Sequence, residues 1–99
     1  MFRLSQSQNP LRTTIRIYGA LVGEYARLAE QCCLQALAAG KRVHILLKQV
    51  TAVDESGRQL LLDWVRRGIR LRAFDLYCKE LLKVIRRSIR HDRRQAGAS

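Results

Sequence analysis

The sequence contains no apolar run near the roughly 20 residues that a membrane-spanning helix requires. No signal-peptide pattern opens it, so the expected location is cytoplasmic. Cysteine is confined to Cys32, Cys33 and Cys78, an odd number with two members adjacent, where a bridge between them would be strained. Reduced thiols are the expectation. Histidine occurs only as His44 and His91, and no Cys-x-x-Cys spacing is present, so neither a metal site nor a cofactor is expected. There is no Gly-rich phosphate loop, and neither histidine has an evident nucleophile beside it, so the chain is not expected to be an enzyme. Acidic residues are scarce as well: 8 stand against 19 Lys and Arg, for a net charge of +11. That imbalance implies attraction to nucleic acid, anionic headgroups or an acidic protein face.

What is present suffices for one domain. Ninety-nine residues with 47% hydrophobic content can bury a single modest core. Residues 1–12 are polar and broken by Pro10, which predicts a flexible lead-in. Alternation at Thr13 to Tyr18, with Ile15 and Ile17 on one side, predicts a half-buried strand. Gly19 to Gly23 reads as a turn. Glu24 to Ala39 has helical spacing, with Tyr25, Leu28, Ala29, Cys32, Ala36 and Leu37 on the expected core stripe and Cys33 at its margin. Gly40 supplies a left-handed stop. Val43 to Leu47 predicts a second strand, residues 56–67 a helix burying Leu60, Leu61, Trp64 and Val65, and Ile69 to Ala73 a third strand. A final helix from about Asp75, carrying Leu76, Leu81, Leu82, Val84 and Ile85, runs into a basic tail over 87–99 that should fray.

The order β-α-β-α-β-α predicts an α/β fold: a small sheet of three to four strands, with right-handed crossovers placing the helices mainly on one face. The outward strand positions Thr14, Arg16, His44, Arg70 and Arg72 would leave the other face open and basic.

The stretch from Val43 to Trp64 is the centre of this plan. An apolar strand passes through Asp54 and Glu55 and restarts as a helix at Ser56-Gly57, a place where backbone amides and the helix dipole favour an anion. Ser56 and Gln59 fit a capping box, with Asp54 as the alternative cap. Gly57 would permit close approach of a partner backbone. Arg58, Gln59 and Leu62 lie off the expected buried stripe and are candidate docking residues. Leu62 is the most telling, being apolar where the helical period points away from the core.

Val50-Thr51-Ala52-Val53-Asp54-Glu55-Ser56-Gly57 followed by an apolar helix resembles the signature loop of STAS domains, the family of sulphate transporters and anti-sigma factor antagonists. Ile17-Tyr18-Gly19-Ala20-Leu21 and Gly68-Ile69-Arg70-Leu71 resemble two further elements of that family, and the similarity spans roughly residues 13–86. The resemblance implies a mixed sheet with helices packed on it, no catalysis, and recognition of a protein partner, either a kinase-like anti-sigma factor or the ATPase subunit of a transport assembly. It also implies Ser56 as a candidate phosphorylation site. Glu55 replaces the motif's first serine, Leu47-Lys48-Gln49 replaces the usual Asp-Leu-Ser, and the family's last strand and helix have no counterpart.

The expected function is therefore a regulatory interaction module, similar to an anti-sigma factor antagonist and docking through Asp54, Glu55, Ser56, Gly57, Arg58, Gln59 and Leu62. One alternative is a STAS-like subunit of a transport assembly, and another is a nucleic-acid or anionic-surface binder using Arg86, Arg87, Arg90, Arg93 and Arg94. No aromatics interleave with those five cations, so such binding would be nonspecific and steeply salt-dependent.

Overall fold

The computed structural model describes the backbone of residues 2–98 and the side chains of residues 2–90. Four strands and three helices follow in the order β1 (Phe2–Gln8), β2 (Arg12–Leu21), α1 (Gly23–Ala38), β3 (Arg42–Val53), α2 (Glu55–Arg66), β4 (Arg70–Ala73) and α3 (Leu76–Ala98). The sheet order is β1-β2-β3-β4. β2, β3 and β4 are parallel, and β1 runs antiparallel to β2. Sequential parallel strands joined by right-handed crossovers put α1 and α2 on one face, and α3 packs beside α2 over β3 and β4 in the same core.

Period-two burial fixes which side of each strand meets the helices. Ile15 and Ile17 of β2, Val43, Ile45 and Leu47 of β3 and Leu71 of β4 are buried. The helices close over them with Ala26, Ala29, Cys33 and Ala36 from α1, Leu60, Leu61 and Trp64 from α2, and Cys78, Leu82, Ile85 and Ile89 from α3. Gly40 and Gly68 both sit at φ +77 immediately after the C-caps of α1 and α2. There they let the chain fold back so that Lys41 N–H reaches Ala36 O and Ile69 N–H reaches Trp64 O.

Three expectations are corrected. Residues 2–8 are not a flexible lead-in but a strand paired with β2 from Phe2↔Gly19 to Gln8↔Thr13. As an edge strand, β1 needs only two apolar anchors, Phe2 and Leu4, which pack against the core while Phe2 stacks on Tyr25 at 4.7 Å. The supposed turn after Tyr18 is strand as far as Leu21, with pairing register shifts at Ile17/Tyr18 and Gly19/Ala20 absorbing the irregularity.

The helix stripes also turn. On α1 the small residues Ala26, Ala29, Cys33 and Ala36 face the sheet, while Tyr25 and Leu28 are exposed and Cys32 is half-buried. On α3, Cys78 and Ile89 join the core, whereas Leu76 is 74% exposed and Val84 49% exposed. Small side chains let a helix axis come close to the sheet, and that contact outcompetes the larger residues at the margins.

Burial raises the Cys33 thiol to about 11, with adjacent Cys32 adding to the effect. It raises Cys78 to about 12, where the Asp75 carboxylate adds repulsion and a hydrogen bond to the neutral thiol. Both groups are held protonated in the fold, whereas an unfolded chain ionises them from their ordinary value of 9.0. Their contribution to stability is thus complete below that value and is lost as pH rises toward 11. Native alkylation at pH 8 should modify Cys32 first and leave Cys33 and Cys78 intact, all three reacting in denaturant. Peptide mass mapping reads the order, and rapid native labelling of Cys78 would contradict this packing.

Candidate functional site

The turn between β3 and α2 is built around one carboxylate. Asp54, in extended backbone at the N-cap of α2, accepts a hydrogen bond from Gly57 N–H at 2.9 Å through Oδ1. Its other oxygen, Oδ2, accepts from Gly23 N–H at 3.0 Å, the first residue of α1. The N-cap of α1 is Val22, whose side chain has no acceptor, so α1 borrows its cap from a residue 31 positions away. Asp54 thereby joins two positive helix ends with one negative group. The anion position foreseen at this helix start is filled by the chain's own side chain.

That arrangement replaces the capping box. Gln59 does not reach back to the cap; its Nε2 donates to Glu55 Oε1 at 2.9 Å along the exposed side of the first turn. Ser56 is exposed and stands in the first turn of α2. It lines a shallow groove of about 260 Å³ between α1 and α2 together with Arg27, Glu30, Gln59 and Asp63.

Gly57 is buried, which corrects its expected place in a docking surface. A Cβ there would collide with the Leu21 carbonyl oxygen and with Val53 Cγ1. The backbone it admits is this chain's own β2. Leu62 is half-buried and packed against the core, so it is not the exposed apolar flag that the helical period suggested. The exposed members of the expected set are Asp54, Glu55, Ser56, Arg58 and Gln59, five residues on one turn.

No protein-family model matches the chain, and no curated protein matches it. Among the described residues no group of three or more His, Cys, Asp or Glu could hold a metal ion. No helix among them is long and apolar enough to cross a membrane.

Arg86 bends to the sheet edge and donates to Leu71 O at 3.3 Å, while Arg87 and Arg90 are exposed. The side chains of Arg93 and Arg94 lie outside the described residues.

The sheet's uncovered face carries a second concentration of charge. Ser5, Arg16, Leu46 and Arg72 form one row across the four strands, and Ser7, Thr14, His44 and Arg70 form another. At the next level Arg3 lies 4.2 Å over the Tyr18 ring and Lys48 lies 3.9 Å over the Phe74 ring. Partial desolvation, with Arg12, Arg70 and Arg42 nearby, lowers the pKa of His44. The alternation of β2 to β4 had predicted a basic open face. The same alternation puts Tyr18 on this face, whereas Phe74 follows the last residue of β4 and its place there depends on contacts with Lys48 and Arg72 that cross the sheet.

Proposed function

We propose that this chain is a non-enzymatic protein-interaction module, STAS-like in type and comparable in role to an anti-sigma factor antagonist, acting in the cytoplasm. The observation that supports the reading is the first turn of α2. Glu55, Ser56, Arg58 and Gln59 are exposed together on a helix start that Asp54 pins to α1. A docking surface needs side chains available to a partner on backbone that does not have to be ordered on binding, and this turn offers both.

Ser56 is the switch position in this reading. Its hydroxyl opens onto the groove that Arg27 also lines. Phosphorylation would add about −1.5 to −2 charges. Glu30 and Asp63 line the same groove and Asp54 and Glu55 precede the serine, so the added charge turns a mixed surface into an acidic one. A partner matched to the unmodified turn is released by that change.

Affinity purification from the native cells tests the proposal. Wild-type protein and Ser56→Ala should retain the same partner, and Ser56→Asp and Arg58→Glu should each reduce its recovery at least tenfold. Mass spectrometry of the purified material should report a phosphate on Ser56 together with the companion protein. Equal recovery with both charged variants would remove the helix start from the interaction.

A further inference from the structure

The strands and the rest of the chain differ in charge more sharply than the total reveals. β1 to β4 carry seven of the 19 cations, Arg3, Arg12, Arg16, Arg42, Lys48, Arg70 and Arg72, and none of the 8 acidic residues. Arg3, Arg16, Arg70 and Arg72 alternate with inward-facing neighbours on both sides and Arg12 and Arg42 each precede one, so strand geometry directs them away from the helices. Lys48, at a register shift, is placed on that side by its contact with the Phe74 ring. Every Asp and Glu belongs to a helix or to the turn leading into one.

Face-to-face pairing of two copies is disfavoured on this face, because it would bring cations against cations. The C-terminal helix, carrying Arg86, Arg87 and Arg90, is disfavoured on the same ground. Seven cations with no acid among them complement a polyanion.

Two features favour nucleic acid over an acidic protein. Residues two apart on a strand are separated by about 6.6–6.8 Å, and neighbouring strands by about 4.8 Å. Arg70 and Arg72 on β4, with Arg16 two strands away, therefore form a lattice matching the separation of successive phosphates in an extended single strand. Tyr18 and Phe74 also punctuate that lattice. Phe74 is 39% exposed and has Arg72 5.2 Å from its centroid in addition to Lys48. Aromatic rings beside cations are stacking surfaces for unpaired bases, on an open sheet face that a splayed strand can lie across.

We propose that the open face of the sheet binds single-stranded nucleic acid, with Arg16, Lys48, Arg70 and Arg72 holding phosphates and the rings of Tyr18 and Phe74 receiving bases. Recognition is through backbone charge and stacking, and it tolerates sequence. The face is separate from the first turn of α2, so this inference stands whether or not that turn docks a protein.

Fluorescence anisotropy of the full chain with a fluorescein-labelled oligothymidylate of about 12 nucleotides tests it. Five phosphate contacts, counting Arg3, predict a slope of about −3.5 in log affinity against log salt, roughly a hundredfold loss between about 50 and 200 mM. Arg16→Glu/Arg72→Glu should weaken binding more than tenfold, and Arg87→Glu/Arg90→Glu on α3, with the same net charge, no more than about threefold. Phe74→Ala, which alters no charge, should weaken binding between about fivefold and a hundredfold.

Thermal melting checks that each variant is folded, and Arg16→Gln/Arg72→Gln replaces the charge-reversed pair if that pair melts early. Absence of binding at low salt would overturn the proposal. So would equal effects of the two double variants, or an unchanged affinity in Phe74→Ala. Displacement by polyglutamate as effective as by unlabelled oligothymidylate would overturn it too, assigning the face to an acidic protein.

Discussion

Gly57→Ala is expected to destabilise the fold by about 2 kcal/mol or more, the opposite of what helix propensity gives. In an open helix the same change would gain roughly 0.5–1 kcal/mol. Here the new methyl meets the Leu21 carbonyl and Val53 Cγ1. A flexible side chain could give way at little cost, but the carbonyl belongs to the end of β2 and is held by the β3 ladder. Relief requires α2 to move off the sheet, and Leu60, Leu61 and Trp64 would move with it, opening the centre of the core. Urea unfolding of wild type and variant measures the difference; a variant as stable as wild type would show that α2 does not sit this close.

The second large effect belongs to Asp54. Asp54→Ala removes the acceptor for Gly23 N–H and for Gly57 N–H at once, together with the negative charge at both helix starts. One cap is typically worth about 1 kcal/mol and the dipole interaction about 0.3–1 kcal/mol. The expected loss is therefore about 2–3 kcal/mol. Asp54→Asn separates the contributions, because its amide keeps one oxygen acceptor and can serve only one helix. It should lose roughly half as much. Ser56→Ala is the necessary comparison: with the cap assigned to Asp54, it should alter stability by less than about 0.5 kcal/mol. A reversed order, with Ser56→Ala the costlier change, would restore the serine as the cap.

Much of this architecture was legible in the sequence, and the exceptions have identifiable causes. Ile15/Ile17 and Val43/Ile45/Leu47 alternate cleanly because one side of each strand is core and the other is not. Helices on one face agree with the sequential β-α-β order, and the antiparallel β1 makes the sheet mixed. β1 was missed because Phe2 and Leu4 give way to Ser5-Gln6-Ser7-Gln8, a pattern with no apolar alternation left in it. What defines that strand is pairing with β2, a contact between segments rather than a property of either.

On α1, apolar size is a poor guide to burial. Ala26 and Ala29 are buried and Leu28 is 49% exposed, an order set by how near the helix lies to the sheet. The site shows the same limit. The position of the turn could be read from Asp54-Glu55-Ser56-Gly57, but the engagement of Asp54 with Gly23 crosses 31 residues and leaves no local trace.

The division of charge between the sheet and the rest of the molecule has a consequence before any contact is made. With seven cations and no acids on its strands, against 12 cations and 8 acids elsewhere, the protein is more densely positive on the side of the sheet. In the field of a polyelectrolyte it experiences a torque as well as a pull, so encounters begin with the β-side leading and the helices trailing. Productive orientation is then selected during diffusion rather than by search after collision, and added salt should slow arrival more than it hastens departure.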